Sequence, residues 1–391
     1  MIVNAIIVVL SFALVLGILV YIHEMGHYGV ARLFGTRVER FSIGFGKPIA
    51  GWVNKAGEEW TVGRIPLGGY VKFAGDENAS SVPTRDREAV RSEHGDEDDS
   101  LFQFKPLWQR TLIVAAGPFA NFALAVLLFA IVAWTFGETA FQARIDSVSP
   151  DSAASEAGFE AGDVIRSIDG RDIDDAADVQ SYVALRAEER MSVVVEREGR
   201  EVTLDVTPRR VVREDAIGGA TEMGTLGVIL GGGADIAMRK DFTLAQAIPH
   251  GFQRVGEVTA MTGTYVGRIF TGREDGKAMG GVLRIAAVTG KVAVDTSRAE
   301  RVPLSQRAKA LAFSMLSLMA LLSVGLGLAN LLPIPALDGG HLLYYGYEAL
   351  AGRPLSAEAQ AMGYRLGALV LVLAFVYLTV NDVGYIRSLL S

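Results

Sequence analysis

Four apolar runs of membrane-spanning length divide the chain. They occupy residues 2–19, 111–134, 310–332 and 363–380, and charged residues are concentrated between them. A helix that crosses the hydrocarbon core of a bilayer needs about 20 mostly apolar residues. The pattern therefore predicts a polytopic α-helical membrane protein with four transmembrane helices.

The segment between the second and third apolar runs has the composition of a water-soluble α/β module. Apolar and polar residues alternate over 161–170 into an Asp-Gly turn, residues 174–186 have the pattern of a helix, and residues 191–206 that of a hairpin. The run Gly-Asp-Val-Ile-Arg-Ser-Ile-Asp-Gly in the first of these resembles the signature of bacterial, permuted PDZ domains. We therefore predict an inserted α/β PDZ domain at 138–210. Residues 141–145 lack the glycine-rich loop with which many PDZ domains hold a carboxyl terminus, so the resemblance does not extend to binding of chain ends.

Three further polar segments have recognisable patterns. Residues 38–75 are rich in glycine and β-forming residues, which predicts strands and turns. Residues 76–100 are polar and acidic and are predicted to form a mobile loop with His94 in solvent. Residues 242–270 place apolar side chains at spacings of three and four, which predicts an amphipathic helix that lies on the membrane surface or packs against other helices.

The composition excludes several classes of function. Half of the 391 residues are hydrophobic and the net charge is −7, which argues against nucleic-acid binding because phosphate contacts require clustered Lys and Arg. The chain has no cysteine, so it has no disulfide, no thiolate metal ligand and no cysteine nucleophile. Imidazole metal ligands must come from the five histidines, at positions 23, 27, 94, 250 and 341.

The sequence His-Glu-Met-Gly-His, at 23–27, stands near the end of the apolar stretch that begins at Ile2. On a helix, residues four apart lie on the same face, so His23 and His27 can bind one metal ion, and this spacing suits zinc. Glu24, beside them, can take a proton from the attacking water, which is the general-base role in metalloproteases. Ionisable residues in a membrane helix are costly and usually mark function, so this interpretation is preferred to that of two interfacial histidines on a signal anchor.

The charges around the first apolar run predict its orientation. No basic residue precedes this run, and Arg32, Arg37 and Arg40 follow it. Because cytoplasmic loops carry the excess of Lys and Arg, the N-terminus is predicted outside and the metal site toward the cytoplasmic side of the membrane. Four spans then place the module at 138–210 outside. Basic residues before the third span are a contrary signal, but a weaker one beside a long translocated segment.

The third apolar run ends in a sequence that breaks a helix. The residues Asn-Leu-Leu-Pro-Ile-Pro at 330–335 precede Ala-Leu-Asp338. Broken backbone at membrane depth is tolerated only where it lines a protein cavity, so Asp338 is a candidate functional residue. In the second run, Gly117 permits close approach of a neighbouring helix, Pro118 frees a backbone carbonyl, and Asn121 requires a hydrogen-bond partner.

Together these motifs resemble the bacterial site-2 proteases, intramembrane zinc metalloproteases of the RseP type that release membrane-bound anti-sigma factors. The family marks are His-Glu-x-x-His in the first span, Gly-Pro-x-x-Asn in the second, a PDZ insert, and Asn-x-x-Pro-x-x-x-Leu-Asp-Gly in the third, and the resemblance covers nearly the whole chain. The sequence departs from the family pattern in two respects. It has one recognisable PDZ domain where the best-known members have two, and residues 280–283 lack the proline common before the third span.

The resemblance implies the roles of individual residues. It implies that the cofactor is Zn²⁺, that His23, His27 and Asp338 are its ligands, that Glu24 is the base, and that Asn330 binds the substrate backbone. From the residues alone, His341 is the alternative third ligand, because it lies three positions past Asp338 and its distance cannot be read from sequence.

The resemblance also places Gly69, Tyr70, Val71 and Lys72 on the family's membrane-associated β-hairpin. An unpaired hairpin edge could hold an extended substrate by β-augmentation; a hairpin that only packs is the alternative of equal weight. A peptide bond inside a helix is shielded by its own hydrogen bonds, so a substrate segment with helix-breaking residues is expected to be cut best.

The implied substrate is a single-pass transmembrane protein, such as an anti-sigma factor or a signal-peptide remnant, that another protease has already shortened. The other expected partner is membrane lipid, and the expected location is the bacterial inner membrane with the PDZ domain in the periplasm. The predicted segments are the first span with the histidine motif (1–34), the cytoplasmic loop with the hairpin (35–108), the second span (109–137) and the PDZ domain (138–210). They are followed by a region with the amphipathic helix (211–305), the third span (306–341) and the fourth span (342–391).

Two other functions compete with this prediction. One is a membrane-anchored metalloprotease that acts on water-exposed chains and commonly uses a glutamate as its third ligand; the depth of His23 and the motif around Asp338 speak against it. The other is a non-catalytic membrane scaffold that binds partners through the PDZ domain. The presence of Glu24 argues against the scaffold, because a non-catalytic protein does not require a general base beside a metal ion.

Overall fold

The computed structural model describes residues 2–75, 100–214, 220–231, 237–274, 276–277, 279–298 and 303–390. Its helices are α1 (Ile2–Leu33), α2 (Leu107–Phe136), α3 (Ala153–Ala157), α4 (Ala176–Ala184), α5 (Leu244–Phe270), α6 (Val282–Arg298), α7 (Leu304–Asn330), α8 (Asp338–Ala351) and α9 (Ala357–Leu390). Its strands are β1 (Val38–Val53), β2 (Glu59–Phe73), β3 (Glu138–Phe141), β4 (Ile145–Val148), β5 (Val164–Ile168), β6 (Arg171–Asp172), β7 (Met191–Arg197), β8 (Arg200–Val206), β9 (Arg209–Glu214), β10 (Ala220–Thr225), β11 (Val228–Leu230) and β12 (Ala237–Lys240). Nearly all of the predicted acidic loop at 76–100, including His94, lies outside the described residues.

Four helices in this part of the chain are long and apolar enough to cross a membrane, as predicted. They are Ile6–Leu33, Leu107–Phe136, Leu304–Asn330 and Ala357–Arg387. Large apolar side chains such as Leu14, Phe119 and Leu373 point away from the rest of the protein and are more than half exposed. Lipid tails solvate such side chains as well as a protein core does. The fold is therefore that of a mostly helical, multi-pass membrane protein.

The chain folds into two compact units, which are described separately. The membrane unit comprises Met1–Ala130, Ile248–Thr262 and Gly281–Val380, and the second unit comprises Ile131–Ala247, Gly263–Gly280 and Asn381–Ser391.

Glycines allow close helix packing in the membrane unit. A Cβ atom on Gly26 of α1 would lie 2.3 Å from the carbonyl oxygen of Ala116 in α2. A Cβ atom on Gly290 of α6 would lie 2.4 Å from the side chain of Val8 in α1. Such small residues let membrane helices approach backbone to backbone. Helix α6 itself was not predicted, because Lys291 and the glycine interrupt its apolar positions.

Strands β1 and β2 confirm the prediction of strands and turns at 38–75. Both strands bend, so that they form four antiparallel segments: 38–43 pairs with 69–73 on one side and with 59–62 on the other, and 59–63 also pairs with 48–53. The segment 69–73 is therefore at an edge of this sheet. The sheet packs on α1 and α2 through a buried cluster that contains Ala31, Phe41, Val71, Phe73 and Ile113.

The second unit contains a four-stranded antiparallel sheet in the order β6-β5-β7-β8. The predicted helix at 174–186 corresponds to α4, and the predicted hairpin at 191–206 to β7 and β8. The core of this unit extends beyond residue 210, where the sequence interpretation ended the module, since Leu226 is buried in it and β11 pairs with β4. A strand of three residues is too short to produce a periodic pattern, so the sequence did not reveal it.

Candidate metal centre

His23, His27 and Asp338 bring three ligand atoms together at one point of the membrane unit. Nε2 of His27 lies 3.2 Å from Nε2 of His23. Oδ2 of Asp338 lies 3.2 Å from Nε2 of His23 and 3.5 Å from Nε2 of His27. Tetrahedral zinc with bonds of about 2.0–2.2 Å places its ligand atoms about 3.3–3.6 Å apart. The size of the triangle therefore suits zinc, and no other group of three His, Asp or Glu ligand atoms is this close among the described residues.

The aspartate oxygen is the atom that most requires a cation. Oδ2 of Asp338 is buried and has no hydrogen-bond donor in the described part of the chain. A buried carboxylate oxygen without a donor is unfavourable, because it has lost water and gained nothing in exchange. A metal ion held jointly by Asp338 and the two imidazoles removes this cost.

The outer nitrogens of both imidazoles have partners on α2. Nδ1 of His27 lies 2.9 Å from the carbonyl oxygen of Ile113 and donates to it, which leaves Nε2 as the free lone pair. Nδ1 of His23 lies 3.1 Å from the side-chain amide of Asn121, which thus has the partner that its place in an apolar run requires. A half-turn of this amide brings its Oδ1, which is buried and otherwise without a donor, onto Nδ1 of His23. In that orientation His23 also presents a free Nε2 to the metal.

Gly117 provides the space in which the two imidazoles lie. A Cβ atom at this position would be 2.3 Å from Nε2 of His27 and 2.9 Å from Cε1 of His23. The sequence indicated that Gly117 allows close helix approach. The structure shows a more specific reason, since any side chain here would occupy the position of the ligand rings.

Asp338 reaches the histidines because the third spanning helix breaks. Helix α7 ends at Asn330 and α8 begins at Asp338, as the two prolines between them predicted. Cβ atoms on Gly339 and Gly340 would lie 2.3 Å from the carbonyl oxygens of Leu331 and Ile334. The two glycines therefore let α8 start directly against the broken segment.

A partly buried ion pair also holds α8 near α2. The guanidinium of Arg110 donates two hydrogen bonds to the carboxylate of Glu348, at 2.7 and 3.2 Å, and lies over the ring of Tyr345. Arg110 lies one turn before Ile113, and Glu348 is on the helix that begins with Asp338. This pair could not be predicted from the sequence, because no local pattern relates residues 238 positions apart.

Glu24 and the ligand atoms share one cavity of about 760 Å³. Glu24 is only 7% exposed, and a Cβ atom on Gly69 would lie 2.8 Å from its Cγ. Strand segment 69–73 thus passes directly beside the carboxylate. The arrangement combines three grouped ligand atoms with an adjacent carboxylate that is not one of them.

Most of the predicted substrate-binding residues line the same cavity. Gly69, Tyr70, Val71 and Asn330 do so, whereas Lys72 does not and instead forms an ion pair with Glu39 at 2.7 Å. Within the described ranges, segment 69–73 pairs only with residues 38–43. Its other edge is therefore open to an extended chain.

His341, the alternative third ligand, also lines the cavity but does not belong to the group of three close ligand atoms. The geometry favours the carboxylate over the imidazole as the third ligand.

The chain is similar to known metalloproteases over nearly its whole length. The family model "Peptidase family M50" matches residues 11–374. Metalloprotease MmpA of Caulobacter vibrioides is 44% identical over 379 residues, which cover 94% of this chain and 93% of that protein. Two further relatives have names of zinc metalloproteases. Atu1380 of Agrobacterium fabrum is 37% identical over 96% of this chain and 95% of its own length. RC0203 of Rickettsia conorii is 30% identical over 97% of this chain and 99% of its own length.

Proposed function

Because the chain belongs to peptidase family M50 and is a zinc metalloprotease with several membrane spans, we propose that it cuts peptide bonds within or near the transmembrane segments of single-pass membrane proteins. We further propose that His23, His27 and Asp338 bind the zinc and that Glu24 is the general base. The substrate class includes anti-sigma factors and signal-peptide remnants that another protease has already shortened.

The observation that carries this proposal is the position of the ligand atoms inside a spanning helix. His27 lies six residues before the end of the span Ile6–Leu33, or about 9 Å at 1.5 Å per residue. The depth supports a substrate that is itself in the membrane, since a water-exposed chain has no reason to enter there. It speaks against a membrane-anchored protease for soluble chains.

Each residue of the site has a definite task in peptide hydrolysis. When bound, zinc supplies Lewis-acid chemistry, polarising the substrate carbonyl and making water more acidic. Glu24 accepts a proton from the attacking water and returns it to the leaving nitrogen as the C–N bond breaks. The partners on α2 hold the two imidazoles in the tautomer that presents Nε2.

The open edge of segment 69–73 supports binding of the substrate as a strand. Backbone N–H and C=O groups along this edge can pair with an unwound segment, and Asn330 faces the same cavity at the end of α7. Substrates with helix-breaking residues near the scissile bond are then preferred, because less helix has to be unwound.

For the location, we propose the bacterial inner membrane with the metal site toward the cytoplasm, on the strength of the basic residues that follow α1. The module after α2 is proposed to be a periplasmic PDZ domain that excludes substrates with bulky outer domains. Its Gly-Asp-x-Ile-x-x-Ile-Asp-Gly run and its four-stranded sheet support this assignment.

The test uses purified protein in liposomes with a single-pass substrate that carries helix-breaking residues, and a soluble peptide with the same cleavage sequence. Glu24→Gln is expected to keep zinc and lose cleavage, whereas Asp338→Ala and His23→Ala lose both. Glu201→Gln, on the exposed face of β8, is the matched control with normal turnover. Retained turnover in Glu24→Gln would contradict the assignment of the base. Preference for the soluble peptide would instead indicate a protease for water-exposed chains, and zinc binding without cleavage in the wild type would indicate a scaffold.

A further inference from the structure

His341 is a partly buried polar side chain that lines the cavity beside the three grouped ligand atoms and is not one of them. It lies three residues after Asp338 on α8, and residues at this spacing share a helix face. Its ring lines the cavity that also contains Glu24 and the ligand atoms of His23, His27 and Asp338.

The ring nitrogens of His341 make no hydrogen bond to the described part of the chain. The ring contact is an edge-to-face packing on Tyr344, with centroids 6.4 Å apart. A neutral imidazole carries one N–H donor, and this donor can pair with an acceptor that enters the cavity. The position is thus arranged for a hydrogen-bond acceptor that arrives with the substrate.

We propose that His341 is a further catalytic residue, whose ring N–H donates a hydrogen bond to the carbonyl oxygen of the scissile peptide bond. This inference rests on the proposed function. Water forms a bond to the carbonyl carbon, Glu24 takes the proton of that water, and negative charge develops on the carbonyl oxygen. His341 stabilises this charge and keeps its own proton throughout, while Glu24 delivers its proton to the leaving nitrogen as the C–N bond breaks.

A donor aimed at this oxygen acts mainly on the transition state. The charge on the oxygen is greatest there, and a fixed, preorganised donor stabilises it without the reorganisation that water would need. The expected signature is a lower kcat with little change in KM, because the neutral carbonyl of the bound substrate gains less from the same hydrogen bond.

Tyr364 and Tyr345 are the competing donors, since both line the cavity. His341 is favoured over them because it shares a helix turn with Asp338. Tyr345 already lies under the guanidinium of Arg110, with 5.1 Å between the charge and the ring centre.

The test measures zinc content, kcat and KM of the full-length protein in liposomes with the single-pass substrate. His341→Leu removes the donor, His341→Gln keeps an N–H donor on a side chain of similar length, and Tyr364→Phe is the matched removal of a competing hydroxyl. We expect full zinc content in all three variants. In His341→Leu, kcat should fall by about 100- to 1000-fold with KM within about twofold of the wild type. The loss of kcat should be smaller in His341→Gln, and Tyr364→Phe should have normal kinetics.

Four results would overturn the inference. Loss of zinc from both His341 variants would identify His341 as a metal ligand. An unchanged kcat in His341→Leu would show that His341 has no part in the mechanism. Equal losses of kcat in His341→Leu and His341→Gln, with zinc retained, would show a packing role. A large loss in Tyr364→Phe together with an intact His341→Leu assigns the donor to the tyrosine. Failure of the proposed function is recognised separately, because wild-type and Glu24→Gln proteins would then behave alike.

Discussion

Gly117 lies directly against the Nε2 edge of His27: a Cβ atom on this glycine would be 2.3 Å from Nε2 of the imidazole. Gly117→Ala is therefore expected to displace the ring and reduce zinc content, with cleavage lost in proportion. Metal analysis of the purified variant measures this. The matched control is Gly29→Ala on α1, where a Cβ atom meets nothing within 4 Å. Full zinc content in Gly117→Ala would show that the ring has room to move.

Asn121 controls the tautomer of His23 through the contact of 3.1 Å with Nδ1. Asn121→Leu leaves this nitrogen without a partner, and loss of such an outer contact typically costs about 10- to 100-fold in metal affinity. Asn121→Asp keeps an oxygen acceptor and is expected to retain zinc better. Competition with a chelator gives both affinities, and equal affinity of Asn121→Leu and wild type would contradict the role of the amide.

The open edge at 69–73 predicts sensitivity to the removal of backbone donors. N–H groups alternate along a strand between its two sides, so either Tyr70 or Val71 points its N–H at the open edge. Of Tyr70→Pro and Val71→Pro, one should retain fold and zinc but cleave about 5- to 10-fold more slowly, the worth of about one hydrogen bond. Trp52→Pro and Val53→Pro, on the opposite edge of the sheet, serve as controls. If every variant with full zinc content cleaves normally, the hairpin has only a packing role.

The second unit offers a clean deletion for the size-filter proposal. Phe141 and Ala237 are paired across β3 and β12, so residues 142–236 can be replaced by a two-residue turn that joins neighbouring strands. The deletion is expected to keep zinc and cleavage of a shortened substrate, and to permit some cleavage of the full-length one. If cleavage of the short substrate is lost while zinc stays bound, the module recruits substrate rather than excluding it.

Asp163 predicts the acid sensitivity of the second unit. Burial opposes its ionisation, but two hydrogen bonds from Arg197, at 2.7 and 2.8 Å, and one from the amide of Glu160 outweigh it and hold the pKa of Asp163 below its ordinary value. A lowered pKa in the folded state means that this stabilisation is complete above about pH 4, the pKa of an unfolded Asp, and is lost as the pH falls through the lower folded value.

Hydrogen exchange of β5 and β7, corrected for the intrinsic exchange rate, tests this dependence. Protection in the wild type should decrease as the pH falls below about 4. Asp163→Asn should start from a lower protection at neutral pH and change less on acidification. Arg166→Gln, which removes an exposed ion pair with Glu196, is the control that leaves the pH dependence of the wild type in place. Identical acid profiles of wild type and Asp163→Asn would refute the prediction.

Local patterns in the sequence determined the spanning helices, the position of the helix break and the pairing of His23 with His27. Each depends on neighbours along the chain: an apolar run long enough to cross lipid, prolines that remove backbone donors, and a spacing of four residues that places two side chains on one helix face. The same local logic identified the helix at 244–270 and the β7–β8 hairpin.

Only the tertiary structure decided which distant groups meet. Asp338 and His341 are equally polar and stand on the same short helix, and the packing of α8 against α1 and α2 brings the carboxylate, not the imidazole, within 3.2 Å of His23. Three other features likewise depend on residues far apart in sequence. They are the close approach of Gly117 to the imidazoles, the ion pair between Arg110 and Glu348, and the pairing of β11 with β4 in the second unit. Their contacts depend on the fit of whole helices and sheets, and hydrophobic periodicity carries no information about which surfaces come together.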